Sequence, residues 1–91
     1  MELWIRSQDK SMFVCPDGLY YDYQQEKHHI TGMKNDEYYW LGIYKTKERA
    51  IEVLDEIQNF IVGNTIKEEI VKHNMNMDNV WPIMTYEMPE E

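Results

Sequence analysis

The chain contains a single cysteine, Cys15, so no intrachain disulfide can hold it together, which agrees with a reducing compartment. No apolar run approaches the roughly 20 residues that a membrane-spanning helix needs. Glu2 and Arg6 flank only three apolar residues at the N-terminus, a pattern that argues against a signal peptide and predicts a cytoplasmic protein. Basic residues are scarce: nine Lys and Arg stand against 17 Asp and Glu, for a net charge of −8. A surface of that sign repels a phosphate backbone, whose affinity for proteins comes from Lys and Arg displacing counterions, so duplex DNA is not an expected partner.

Catalytic and metal-binding spacings are missing as well. The four glycines are isolated, so no loop is built to cradle phosphate, and no Ser sits in a Gly-x-Ser-x-Gly elbow. His28 and His29 are adjacent, and neighbours on a strand point to opposite sides. Glu26, His73 and Cys15 stand at no metal-ligand spacing such as Cys-x-x-Cys or His-Glu-x-x-His. Cys15 precedes Pro16 at a strand end and reads as a buried structural thiol. Neither a catalytic residue nor a metal ligand nor a cofactor is nominated, and the protein is expected not to be an enzyme.

What is present is an aromatic α+β pattern. At 91 residues the chain is long enough for one core, so residues 1–91 are expected to form a single domain. Leu3 to Arg6 and Met12 to Cys15 read as two short strands in a hairpin around the polar break Ser7-Gln8-Asp9-Lys10. Pro16-Asp17-Gly18 is a turn, since Pro presets φ and Asp bonds its own backbone. Leu19 to Tyr23 makes a third strand, Gln24 to His28 a loop, His29 to Met33 a weak fourth strand, and Lys34-Asn35-Asp36 a turn. Glu37 to Tyr44 is the strongest strand, rich in aromatic and branched residues.

Thr46 is a candidate N-cap for a helix reaching Val62, with Gly63 as its C′ residue. Ala50, Val53, Leu54, Ile57, Phe60 and Ile61 share one side of it, while Glu48, Glu52, Asp55 and Glu56 face water. Thr65-Ile66-Lys67-Glu68 has the form of a capping box and predicts a shorter second helix to Asn74. A loop over 75–79 and an edge strand over 83–88 follow. The expected architecture is an antiparallel meander of four to five strands, with the long helix on one face, the short helix, and a C-terminal strand.

Strand alternation then divides the sheet. Leu3, Ile5, Met12, Val14, Leu19, Tyr21, Tyr39, Leu41 and Ile43 fall on the parity assigned to the core, and Trp4, Arg6, Phe13, Tyr20, Tyr38, Trp40 and Tyr44 on the other. One helix covers one face, so the aromatic face needs another cover. Three candidates exist: the segment 65–88 folding over it with Ile70, Trp81 and Met84, a second copy giving a homo-oligomer, or a planar ligand. For the ligand, the nominated binding residues are Trp4, Arg6, Gln8, Tyr20, Tyr38 and Trp40, with rings for stacking and Arg6 for a phosphate.

Three segments carry a resemblance: Leu3-Trp4-Ile5-Arg6-Ser7-Gln8-Asp9, the junction Leu41-Gly42-Ile43-Tyr44-Lys45-Thr46-Lys47-Glu48-Arg49 with its helix to Gln58, and the closing Tyr86-Glu87-Met88-Pro89-Glu90-Glu91. They resemble a family of small proteins encoded by phages and prophages of low-GC Gram-positive bacteria. That resemblance supplies a genetic context, and no binding residue is carried over from it. Small phage proteins of this kind often counter host defence. That context, together with the aromatic face and Arg6, suggests an anti-defence role in the host cytoplasm, similar in concept to phage sponges that sequester the nucleotide signals of Thoeris or CBASS immunity. The alternative is an acidic protein-binding inhibitor, an anti-CRISPR-like decoy or modulator of a host protein, suggested by the net charge of −8.

Overall fold

The computed structural model describes residues 2–75 and 83–91, and in the helix it describes side chains as far as residue 64. The class is α+β, with six strands and one helix among the described residues. Strands β1 (Glu2–Arg6), β2 (Phe13–Val14), β3 (Gly18–Gln24), β4 (Lys27–Lys34) and β5 (Glu37–Tyr44) precede helix α1 (Lys47–Met75), and β6 (Ile83–Glu87) follows it.

The strands form two sheets of three where one meander was expected, in the orders β2-β1-β6 and β3-β4-β5. The hairpin of β1 and β2 is present, with Ile5 opposite Val14. β6 lies parallel to β1 at the sheet edge, Trp4 opposite Thr85 and Ile5 opposite Tyr86. Its return in parallel register requires a long crossover, which α1 begins.

The β3–β4–β5 meander turns on pairs of residues with positive φ, Gln25 (52°) with Glu26 (60°) and Asn35 (50°) with Asp36 (67°). Two successive residues of that kind make the type I′ turn, whose twist matches an antiparallel pair. Gln25 and Glu26 are poor residues for it, which is why 24–28 reads as a loop; the chain makes a tight turn there, and β4 begins at Lys27.

One core joins both sheets to the helix. Ile5, Ile30, Leu41, Tyr44, Ala50, Val53, Ile57 and Met88 are its buried members, with Leu3, Met12, Val14, Leu19, Tyr21, Tyr39, Leu54, Ile61 and Tyr86 packed around them. Burying each large aliphatic side chain contributes about 1.5–3 kcal/mol. Eight of the nine residues assigned to the core by alternation belong to this cluster. Ile43 is the exception, 41% exposed, while Tyr44, assigned to the opposite face, is buried at 4%.

A β-bulge causes that exchange. Ile30 pairs with Gly42 and Thr31 with Trp40, which leaves Leu41 as an extra residue on β5. One inserted residue reverses alternation beyond it, so Tyr44 turns inward and Ile43 outward. Gly42 makes room for the result, because a Cβ there would stand 2.8 Å from the Tyr44 hydroxyl oxygen and 2.9 Å from its ring.

The helix begins as its sequence specifies, with the Arg49 amide donating to Thr46 Oγ1 at 3.0 Å. It does not stop at Gly63. No described glycine has a positive φ, so the left-handed C′ geometry is absent and α1 continues through Gly63 and the Thr65 capping-box sequence to Met75. A mid-helix glycine costs about 1 kcal/mol, too little to end a helix whose flanking residues favour it. The expected contacts of Ile70 and Trp81, and most of the expected loop over 75–79, lie outside the described residues. Met84 is buried at 7%.

Candidate functional site

Two aromatic faces replace the single one expected, because the strands that carry the rings belong to different sheets. On the β2–β1–β6 sheet, Trp4 stacks on Phe13 at 5.3 Å between centroids, and the Arg6 guanidinium lies 5.2 Å from the Phe13 ring. Arg6 donates to the Lys10 carbonyl at 3.2 Å, and Trp4 Nε1 donates to Glu2 Oε2 at 3.0 Å. On the β3–β4–β5 sheet, Tyr20 meets Tyr38 edge to face at 6.5 Å, and Trp40 stacks on His29 at 4.2 Å with planes 24° apart. The structure thus brings together Tyr20, Tyr38 and Trp40, and sets Trp4 and Arg6 in the other sheet.

Gln8 belongs to neither face. Its Nε2 donates to the carbonyls of Ile43 (3.0 Å), Pro89 (3.2 Å) and Glu90 (2.8 Å), and its Oε1 accepts from the Ile43 amide at 2.9 Å. The side chain imitates a strand on the free edge of β5 and ties down the segment after β6. The neighbouring polar loop is equally committed: Asp9 Oδ1 accepts from Ser7 Oγ (2.8 Å), Ser11 Oγ (2.6 Å) and the Ser11 amide (2.9 Å). The Ser11 hydroxyl, then its amide and the Ser7 hydroxyl, hold the Asp9 carboxyl down at about 2.

The outer face of the β3–β4–β5 sheet is the better candidate. Tyr38 is 64% and Trp40 44% exposed, with Met33 and Ile43 beside them. At its middle, on β4, Thr31 lies opposite both Tyr20 and Trp40, and His29 opposite Asp22 and Ile43. Both β4 residues are 1% exposed, although the described core packs α1 against the opposite face of this sheet. Their neighbours' rings cover them, and burial with the nearby Asp22 raises the Tyr20 hydroxyl. His28 points to the other side, its Nδ1 2.8 Å from the Tyr21 hydroxyl, so the adjacent histidines diverge as alternation requires.

Ile43 connects this face to a cleft of about 520 Å³ that Lys27, Tyr44, Lys45, Arg49, Glu90 and Glu91 also line. Three of the chain's nine cations converge there. Arg49 is engaged: Nη1 contacts Glu52 at 2.6 Å and Glu56 at 3.2 Å, and Nε donates to the Glu91 backbone oxygen at 2.9 Å. Glu56 above all strengthens its hold on the proton. Lys27 and Lys45 have no ion-pair partner among the described residues.

A second cleft, also about 520 Å³, lies between the sheets and includes Leu3, Cys15, Leu19, Ile61 and Met84. No group of three metal-ligating side chains occurs among the described residues, and no described helix is long and apolar enough to cross a membrane.

No family model matches the chain, and no curated protein and no solved structure matches it either. The functional reading therefore rests on the chain's own geometry. Sequence reasoning missed Lys27, Lys45, His29, Thr31 and Ile43. Lys27 and Lys45 are 18 residues apart in sequence, and only the β4–β5 pairing unites them. His29 and Thr31 share a parity within the expected strand, but only the register with β3 and β5 sets them among the rings of this face.

Proposed function

We propose that the protein is a non-enzymatic binder that sequesters a small nucleotide, serving in the phage anti-defence setting that its sequence resemblance implies. The observation that supports this best is the run of Tyr38, Trp40 and Ile43 along β5, ending at a cleft where Lys27 and Lys45 have no ion-pair partner among the described residues. A base stacks on the exposed indole, worth about 1–3 kcal/mol, and the two ammonium groups take the phosphate. Local cations suffice for a ligand with one or two phosphates, whatever the net charge of −8 does to a long polyanion. Arg6, the cation nominated from sequence, serves the other face.

Calorimetry against cyclic mono- and dinucleotides and cyclic ADP-ribose isomers tests the reading. Heat with at least one of them is expected, and no heat with any in a folded sample ends it. Native mass measurement adds the oligomeric state and any retained ligand.

A second reading, an acidic inhibitor of a host protein, draws on the other sheet. Phe13 is 44% and Ile83 62% exposed, and α1 presents Glu48, Glu52 and Asp55 to solvent. A host-lysate pull-down that returns no stable partner would count against it.

A further inference from the structure

Two polar atoms lie buried without a partner among the described residues, His29 Nδ1 and Thr31 Oγ1. Both belong to β4, on the outer face of its sheet, and the Trp40 indole stacks over the first and stands opposite the second. A buried polar atom left without a hydrogen bond is costly, so such atoms are rare unless they serve a purpose. Here two occur one alternation step apart, on the face where the rings lead to Lys27 and Lys45.

The hydrogen-bonding character of each is fixed by its surroundings. His29 Nε2 is 3.1 Å from the Gln24 carbonyl oxygen, an acceptor only, which assigns the proton of the neutral ring to Nε2. Nδ1 is therefore an acceptor in need of a donor. Thr31 Oγ1 both donates and accepts. Together they complement the edge of a planar heterocycle that offers an N–H beside an acceptor, which describes the pairing edge of a nucleobase.

Resting on the nucleotide-binding reading, we infer that His29 Nδ1 and Thr31 Oγ1 form the base-reading pair of this site, uncovered when Trp40 swings from His29 onto the face of the ligand. Trp40 is suited to that movement, being 44% exposed and held to His29 by stacking. The base takes an N–H to His29 and an acceptor to Thr31, while its phosphate reaches toward Lys27 and Lys45. Selectivity then comes from pairing: a base without the N–H leaves a buried acceptor unsatisfied, a difference that polar sites turn into strong rejection.

The probes are the four ribonucleoside 5′-monophosphates and purine riboside 5′-monophosphate, whose base edge has no N–H. Calorimetry should show at least one of the four binding about 10-fold or more tighter than purine riboside monophosphate. Thr31→Val keeps the branched shape and removes the hydroxyl. It should erase most of that preference and, in the free protein, raise Tm by about 5 °C, since it removes an unsatisfied buried group. Thr31→Ser should retain the preference. Binding that Thr31→Val leaves unchanged, or a Thr31→Val protein that melts lower, overturns the inference while leaving nucleotide binding intact. Failure of all five probes overturns it too, and failure of the cyclic nucleotides in addition removes the underlying reading.

Discussion

The side-chain amide of Gln8 and the backbone of Ile43 exchange two hydrogen bonds, Nε2 to the carbonyl at 3.0 Å and the amide to Oε1 at 2.9 Å. The two residues are 35 positions apart and lie where the two sheets meet. Gln8→Ala removes this closure together with the bonds to Pro89 and Glu90. At roughly 0.5–1.5 kcal/mol per bond, a loss of about 2–6 kcal/mol is expected in urea unfolding. Gln8→Glu should be no better, because a carboxylate cannot donate to three carbonyls.

Gly42 and Tyr44 form a second coupled pair, made by the bulge at Leu41. Gly42→Ala forces the Tyr44 ring off its place and off the Pro89 carbonyl that its hydroxyl reaches at 3.0 Å. The expected cost is about 1–3 kcal/mol. In a Tyr44→Ala background the same change should cost far less, and a double-mutant cycle from denaturant melts measures the coupling.

Gly63→Ala separates two readings of the helix. Nothing lies within 4 Å of a Cβ at that position, and the helix runs on to Met75, so alanine should stabilise the protein by about 1 kcal/mol in thermal melts. A left-handed C′ glycine, the reading its sequence position suggests, would make the same change destabilising.

Stability should fall at both ends of the pH scale for identifiable reasons. The Asp9 carboxyl is held at about 2 by the Ser11 and Ser7 hydrogen bonds, below an unfolded value of about 3.9. Its contribution is present above the unfolded value and disappears as pH falls from about 4 towards 2. Burial above all, with Tyr86 nearby, lifts the Tyr44 hydroxyl to about 12, above an unfolded value near 10. That contribution is intact below 10 and is lost as pH rises from about 10 to 12. Denaturant midpoints across pH should show both limbs, the acid one flattened in Asp9→Asn and the alkaline one in Tyr44→Phe.

The α+β class, the first hairpin, the Thr46 cap and most of the core were legible because alternation and helical spacing are local signals. The division into two sheets was not, since the parallel pairing of β1 with β6 joins the two ends of the described chain. Nor was the bulge at Leu41, whose one local mark is the isolated Gly42 in a strand pattern, and which moved Ile43 into the candidate site. The Gln25-Glu26 turn was hidden by residues that rarely take positive φ. Of the six nominated site residues, Tyr20, Tyr38 and Trp40 share a face, while Trp4 and Arg6 share another and Gln8 holds the sheets together.

Titration of one nucleotide, the tightest binder among those assayed, into the wild type, Trp40→Ala and Trp4→Ala tests the central claim most directly. Binding through the β3–β4–β5 face predicts that Trp40→Ala weakens affinity by about 10- to 100-fold, from the loss of one stacking partner, and that Trp4→Ala binds as the wild type does. The reverse pattern, or equal binding by all three proteins, would contradict it.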